Sequence, residues 1–248
     1  MNGGPKERTV GTLFDLRGRT AIVTGGARGL GRQHAFALAE AGANVAICDL
    51  LADEGERTRG ELEALGAKAL FDRVDVTAPE DIDRCIARVD AAFGPIRILV
   101  NNAARPSEGV ALETVEDELW RRIIDTNLSS VFYVGKRVAL HMIAKGVAGS
   151  IINVSSMNAF VISNIAPRHN VAYCTAKAGI VGLTRGMAAE WARHGIRVNA
   201  LAPGYILTEQ TAASAANPEI YARNVENTPM KRYGRIDELK GEIGRAHV

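Results

Sequence analysis

The chain has 248 residues, of which 47% are hydrophobic and 23% charged, a composition that excludes a disordered protein. Its 30 basic and 28 acidic side chains leave a net charge of +2, which gives no reason to expect a nucleic-acid partner. No apolar run approaches the length of a membrane span, and the polar N-terminus lacks the apolar centre of a signal peptide. Three widely spaced cysteines favour a reducing cytoplasm, and five scattered histidines make no metal-ligand spacing.

Strands and helices are predicted to alternate after a flexible arm over residues 1–12. The expected strands are short apolar runs at residues 20–24, 44–49, 96–101, 150–155 and 197–202, and residues 67–76 are expected to hold a further strand, third in chain order. The expected helices cover residues 29–41, 53–65, 79–93, 112–145 with a break near 125–127, and 172–194. This alternation predicts an α/β fold, with one doubly wound parallel sheet of Rossmann type in a single domain over residues 1–241. Ligands of such sheets bind beyond the carboxyl ends of the strands.

A glycine cluster follows the first predicted strand, in the segment Thr24-Gly25-Gly26-Ala27-Arg28-Gly29-Leu30-Gly31. Glycines there let the backbone approach a pyrophosphate, and the helix that follows presents free N–H groups and the positive end of its dipole. The position between a strand and a helix favours a nucleotide-binding loop over a purely structural turn. We therefore predict cofactor contacts from Gly25, Arg28, Gly29, Leu30 and Gly31.

The type of nucleotide is predicted from Asp49, which ends the second strand. A carboxylate there can accept both hydroxyls of the adenosine ribose and repels a 2′-phosphate, so NAD is favoured over NADP. Arg28 could instead attract a 2′-phosphate, and Asp49 could be only a turn residue. After the third and fourth strands, Asp75, Val76 and Asn102 are also expected to contact the cofactor.

Tyr173 and Lys177 are four residues apart on the last long helix, so their side chains lie on one face. Ser156 lies just past the fifth strand, and Asn127 lies near the predicted break. With the glycine loop, these residues resemble the short-chain dehydrogenase/reductase family over residues 16–239. The motifs that carry the resemblance are Thr24-Gly25-x3-Gly29-x-Gly31, Asn101-Asn102-Ala103, Asn127, Ser155-Ser156, Tyr173-x3-Lys177 and Pro203-Gly204.

The resemblance implies a catalytic set of Asn127, Ser156, Tyr173 and Lys177. Tyr173 would exchange the proton of the substrate hydroxyl, with positive charge on Lys177 and on the oxidised nicotinamide stabilising its phenolate. Ser156 would bind the substrate oxygen. Lys177 would also hold the nicotinamide ribose, and Tyr173 would also contact the cofactor. Asn127 would hold a water in the proton relay to Lys177.

The resemblance also indicates which residues contact the nicotinamide end of the cofactor and which oligomeric state the protein has. Pro203, Gly204 and Thr208 would border the nicotinamide, and residues 205–230 would form a mobile substrate lid. The resemblance also implies a homo-oligomer, either a dimer or a tetramer, located in the cytoplasm.

The predicted function is transfer of a hydride between NAD and a secondary alcohol or ketone. A polyol or sugar is the expected substrate, because polar residues 163–170 adjoin the site. One alternative is an NADP-dependent 3-oxoacyl reductase, which Arg28 supports and Asp49 opposes. Another is a nucleotide-sensing scaffold without catalysis, which the presence of Ser156, Tyr173 and Lys177 together argues against.

Residues 242–248 are predicted to be a non-native tail. They can be encoded by GAG ATC GGA AGA GCA CAC GTC, which contains the start of a common sequencing-library adapter in frame. The resemblance implies more helix and a last strand after Leu239. We therefore expect the sheet to lack that strand and residues 243–248 not to pack.

Overall fold

One parallel sheet organises the molecule, which a computed structural model describes over residues 14–106, 110–162 and 170–243. The strands are β1 Thr20–Thr24, β2 Asn44–Asp49, β3 Ala69–Arg73, β4 Ile96–Asn101, β5 Gly149–Val154 and β6 Ile196–Leu201. Six strands pair side by side in the order β3-β2-β1-β4-β5-β6. The chain changes direction across the sheet between β1 and β4, and a crevice at such a switch point is where doubly wound folds bind ligands.

Helices cover both faces of this sheet. Their bounds are α1 Gly29–Glu40, α2 Ala52–Ala64, α3 Pro79–Phe93, α4 Asp117–Ile124, α5 Ser130–Ala144, α6 Val171–Trp191, α7 Ala212–Ala216, α8 Pro218–Glu226 and α9 Lys240–Ile243. Short 3₁₀ turns occur at Leu112–Thr114, Met157–Ala159, Ala192–His194 and Ile236–Leu239. None of the helices within the described ranges is long and apolar enough to cross a membrane.

The core divides into two layers because successive strand residues point to opposite faces of the sheet. On one face, Ala21 and Val23 of β1 pack in a cluster with Leu38 of α1. On the other face, Ile22 packs in a cluster with Ile82 of α3 and residues of α5. Strands that are apolar on both sides are therefore buried on both sides, and the predicted α/β sheet of Rossmann type is confirmed.

The structure locates two predicted elements more narrowly. The third strand, β3, lies within the predicted run 67–76, at the edge of the sheet, and pairs with β2. The expected break in the long helix is a π-helical turn at Asp125–Ser129, which joins α4 to α5 without interrupting the helical path. The predicted arm over residues 1–12 lies outside the described residues.

The expectation that residue 243 does not pack is wrong. Ile243 ends α9 and is 1% exposed, in the same cluster as Leu38 of α1. An ion pair of 2.6 Å between Lys240 Nζ and Glu40 Oε1 joins α9 to α1 beside it. Ile243 points inward because residues 240–243 form a short helical turn. The sequence shows no strand alternation there, and we had therefore expected no packing. Residues 244–248 lie outside the described part of the chain.

A buried histidine on α1 gives the fold a pH dependence. His34 is 0% exposed, and neither ring nitrogen has a hydrogen-bond partner among the residues that the structure describes. Burial disfavours the imidazolium and lowers the pKa of His34 from 6.5 to about 4. Between these values the unfolded chain binds a proton that the folded chain does not bind. The free energy of unfolding therefore falls as the pH drops from 6.5 towards 4.

We expect His34 to account for a loss of about 3 kcal/mol in the free energy of unfolding between neutral pH and the lower limit of this window. His34→Leu should remove that contribution, because leucine has no proton to bind. Urea unfolding at neutral pH and at about pH 4.5 measures it, with the exposed His194→Leu as the control. An equal pH dependence in the wild-type and His34→Leu proteins would contradict the assignment.

Candidate active site

A cleft of about 750 Å³ opens at the carboxyl ends of the strands. It collects residues that are distant in the sequence but share this edge of the sheet. Its lining includes every residue predicted to contact the cofactor: Gly25, Arg28, Gly29, Leu30, Gly31, Asp49, Asp75, Val76, Asn102, Tyr173, Lys177, Pro203, Gly204 and Thr208. Ser156 of the predicted catalytic set also lines the cleft, whereas Asn127 does not.

The glycine loop has a shape that side chains would destroy. Gly25 and Gly29 adopt positive φ angles of +64° and +58°, which L-residues other than glycine rarely adopt. A Cβ on Gly31 would lie 1.9 Å from the carbonyl oxygen of Gly25, far inside van der Waals contact. Helix α1 then begins after an extended Arg28, without a side-chain cap and without an acidic residue in its first turn. The loop therefore leaves a helix N-terminus open to an anion, which suits the phosphates of a dinucleotide.

Asn102 holds this loop in place. Its side-chain Nδ2 donates to the carbonyl oxygens of Thr24 and Gly25, each at 3.1 Å. Its backbone N–H donates to Thr24 Oγ1 at 3.0 Å. Both hydrogen bonds of the Asn102 amide group go to the backbone of the glycine loop. Asn102 therefore positions the loop.

Asp49 also contacts the loop. Its Oδ2 accepts from the backbone N–H of Ala27 at 3.1 Å, and its Oδ1 accepts from that of Leu51 at 3.2 Å. The half-buried carboxylate thus links the end of β2 to the glycine loop while still lining the cleft. The exposed Arg28 lines the same cleft. The side chains expected to distinguish NAD from NADP therefore share one cavity.

Asp75 closes a turn beyond β3. Its Oδ1 accepts from the backbone N–H of Thr77 at 2.8 Å and from Thr77 Oγ1 at 2.7 Å. Val76 is buried beside it and lines the cleft. This turn fixes both residues at the rim of the cavity.

Tyr173, Lys177 and Ser156 meet at the other end of the cleft. Lys177 is 2% exposed, lies with Nζ 5.5 Å from the centre of the Tyr173 ring, and donates to the carbonyl oxygen of Val154 at 2.8 Å. Burial lowers the pKa of Lys177 to about 8. Burial also raises the pKa of Tyr173, and a hydrogen bond with Ser156 opposes that rise.

Asn127 occupies the π-helical turn and is completely buried. Its Oδ1 accepts from the backbone N–H of Arg105 at 3.0 Å, and its Nδ2 donates to the carbonyl oxygens of Arg105 and Ile123 at 3.1 and 3.0 Å. The structure therefore ties Asn127 to the loop after β4. Its expected contact with a water near Lys177 stays a prediction.

The segment after β6 forms the remaining wall. The carbonyl oxygen of Pro203 accepts from the backbone N–H of Met157 at 2.9 Å, which fixes Pro203 and Gly204 beside the turn after Ser156. Thr208 lies farther along this wall. The predicted lid, residues 205–230, includes α7 and α8, and its mobility stays a prediction. The polar loop expected beside the site lies mostly outside the described residues, at 163–169.

Two charged residues of the cleft were missed by the sequence analysis. Arg105 and Glu209 both line it. Arg105 follows the Asn-Asn-Ala motif at the end of β4, and that position at a strand end was the one available signal. Nothing in the sequence indicated that Glu209 would lie near the glycine loop. Among the described residues, no group of three potential ligands could hold a metal ion.

Comparison with known proteins identifies the class to which this fold and cleft belong. The short chain dehydrogenase family matches residues 19–219. The chain therefore belongs to the short-chain dehydrogenase/reductase family, and the predicted resemblance is confirmed. As a member of that family, it is a nucleotide-binding oxidoreductase of the alcohol dehydrogenase and ketone reductase type.

Two characterised relatives and one solved structure are similar to this chain over most of its length. The chain is 37% identical to gluconate 5-dehydrogenase of Gluconobacter oxydans, over 92% of this chain and 87% of that protein. It is 36% identical to galactitol 2-dehydrogenase of Cereibacter sphaeroides, over 92% of this chain and 87% of that protein. A crystal structure of a gluconate 5-dehydrogenase from Burkholderia cenocepacia, in complex with NADP and tartrate, is 35% identical with a TM-score of 0.88. That alignment covers 96% of this chain and 91% of the Burkholderia chain.

Proposed function

We propose that this chain is an NAD-dependent dehydrogenase that oxidises a secondary alcohol of a polyol or sugar and reduces the corresponding ketone. The observation that carries the proposal is the meeting of Ser156, Tyr173 and Lys177 in one cleft with an open glycine loop. Relatives that act on gluconate and on galactitol support a polyhydroxylated substrate. The test is reduced-nicotinamide formation with a panel of aldonates and sugar alcohols, and a panel that gives no turnover would overturn the substrate class.

The glycine loop, Asp49 and Asp75 would hold the adenosine and phosphate part of the cofactor, and Lys177 and Thr208 its nicotinamide part. Bound NAD supplies the hydride acceptor for alcohol oxidation, and its reduced form supplies the hydride donor for ketone reduction. The protein's own contribution is proton transfer, orientation and a fixed polar environment. Ser156 would orient the substrate oxygen towards the Tyr173 hydroxyl, with which it already shares a hydrogen bond.

Tyr173 would move the proton. Its pKa is raised by burial, so the protonated phenol is the favoured form at neutral pH. A protonated phenol can donate to a ketone oxygen, whereas removal of an alcohol proton requires the phenolate. We therefore expect the oxidation rate to rise with pH and the reduction rate to fall. The stabilisation of the phenolate that we expect from positive charge on Lys177 and on the oxidised nicotinamide stays a prediction.

The choice of NAD rests on Asp49, whose carboxylate would meet the adenosine ribose and repel a 2′-phosphate. The NADP in the Burkholderia relative and the exposed Arg28 favour NADP as the cofactor, and NADP is also the cofactor of the alternative, a 3-oxoacyl reductase. A comparison of NAD and NADP as electron acceptors distinguishes the two proposals. Turnover with either nucleotide would exclude a scaffold without catalysis.

Asp49→Ser is expected to shift the ratio of kcat/KM values towards NADP by roughly tenfold. The physical reason is loss of one negative charge beside the 2′-phosphate, which leaves Arg28 free to attract it. Asp49→Asn is the companion variant, because it removes the charge but keeps an acceptor for Ala27. Asp53→Ser, which removes an exposed aspartate outside the cleft, is the control. An unchanged nucleotide ratio in both Asp49 variants would make Asp49 a turn residue only.

We also propose a cytoplasmic homo-oligomer, either a dimer or a tetramer. Phe132 and Leu140 on α5 are 43% and 55% exposed, and a second copy of the chain could cover them. Sedimentation analysis of the wild-type protein and of a Phe132→Asp variant tests the assembly. A monomeric wild-type protein would overturn it.

A further inference from the structure

A carboxylate from the segment after β6 lies over the glycine loop. Glu209 Oε2 is 3.8 Å from the place that a Cβ on Gly29 would occupy. Glu209 and Gly29 line the same cleft. Within the residues that the structure describes, the Glu209 carboxylate has neither a hydrogen bond nor an ion pair. Its negative charge therefore faces the loop, and no cation of the described residues forms an ion pair with it.

The backbone that carries Glu209 is fixed. The N–H of Thr208 donates to Thr211 Oγ1 at 2.9 Å, and that hydroxyl donates to the carbonyl oxygen of Ile206 at 2.7 Å. Ile206 in turn forms a parallel β-bridge with Gly234. The turn that bears Glu209 is thus anchored on both sides. The exposed carboxylate can leave the loop by rotation of its own side chain, without unfolding of the turn.

Glu209 competes electrostatically with an incoming phosphate. Helix α1 starts beneath it, with no side-chain cap and no acidic residue of its own in the first turn. Free N–H groups and the positive end of a helix dipole attract any anion, whether a carboxylate or a phosphate. Two anions at one such N-terminus repel each other, and the repulsion is largest at low salt.

We propose that Glu209 is an internal anion that weakens nucleotide binding and so sets the affinity of the cofactor site. Its side chain must turn away from Gly29 before phosphates reach the glycine loop, and its return favours their departure. This inference rests on the proposed nucleotide site. It has a functional consequence, because release of a product limits turnover in many enzymes, and the spent nucleotide is one of the products here.

Calorimetric titration with ADP, NADH and adenosine tests the inference directly, without any measurement of activity. Glu209→Gln removes the charge and keeps the size of the side chain. Glu190→Gln, which removes an exposed carboxylate near the end of α6 and outside the cleft, is the matched control. We expect Glu209→Gln to bind ADP and NADH roughly three- to tenfold more tightly than the wild-type protein. Adenosine, which has no phosphate, should bind equally to all three proteins.

The salt dependence gives a second readout. The gain in ADP affinity should disappear at about 1 M NaCl, where charges are screened beyond roughly 3 Å. Equal or weaker ADP binding by Glu209→Gln at low salt would overturn the inference and leave the proposed function intact. An equal gain for adenosine would overturn it as well, because the effect would not act on phosphate. Absence of ADP and NADH binding by the wild-type protein would instead overturn the proposed nucleotide site and the inference together.

Discussion

Tyr173→Phe is expected to lower kcat by about two to four orders of magnitude, the contribution of a positioned acid or base. The ring would still pack beside Lys177, but the group that exchanges a proton with the substrate oxygen would be absent. Nucleotide affinity should change by less than about threefold, because the glycine loop is untouched. Steady-state kinetics in both directions, together with titration of NADH, measure the two effects separately.

A matched tyrosine provides the control for this substitution. Tyr133 on α5 contacts the ring of Phe132 at a centroid distance of 5.9 Å and does not line the cleft. Tyr133→Phe should therefore retain turnover close to that of the wild-type protein. Near-normal turnover in Tyr173→Phe would remove Tyr173 from the proposed mechanism, whatever the control shows.

Gly31→Ala is the second substitution with a large expected effect. The new methyl group would stand 1.9 Å from the Gly25 carbonyl oxygen and 2.5 Å from Asn102 Nδ2, so the glycine loop must move. We expect a loss of about 3 kcal/mol or more in the free energy of unfolding, since the obstacle is backbone and not a flexible side chain. Nucleotide affinity should fall by more than about tenfold, because the loop that would cradle the phosphates is displaced. Urea unfolding and titration of NADH measure both.

Gly182→Ala is the control for this substitution. It separates the effect of crowding at residue 31 from the general effect of replacing a helical glycine. Gly182 lies in α6, and a Cβ there would meet nothing within 4 Å. Gly182→Ala should therefore stabilise the protein by up to about 1 kcal/mol through helix propensity. If Gly31→Ala proved as stable as Gly182→Ala and bound nucleotide equally well, the close approach of residue 31 to the Gly25 carbonyl oxygen would be contradicted.

The strands and most helices could be predicted from the sequence because their signals are local. Helix α3, for example, begins at Pro79 and ends before Gly94, and both residues act through their own backbone preferences. The third strand was placed only within residues 67–76, because its two ends are set by its pairing with β2. Ile243 was misjudged for a similar reason, since its burial depends on α1, which lies two hundred residues earlier in the chain.

The cleft could be predicted in outline because parallel strands bring their carboxyl ends to one edge. What individual side chains do there depends on partners distant in the sequence. Asn102 was expected at the cofactor, and the structure shows its amide bound to the glycine loop. Asn127 was expected in a proton relay, and the structure shows it bound to Arg105. No periodicity or motif reveals such contacts, and the approach of Glu209 to Gly29 belongs with them.

Transfer of deuteride tests the central claim most directly. The protein would be supplied with NADH carrying deuterium at both hydrogen positions of the nicotinamide C4, together with 5-ketogluconate and a panel of other keto sugars and keto acids. We predict that at least one product gains a single deuterium at its new carbinol carbon, detected by mass spectrometry, and that Tyr173→Phe abolishes most of this gain. A protein that binds NADH yet transfers deuteride to no ketone of the panel would contradict the account.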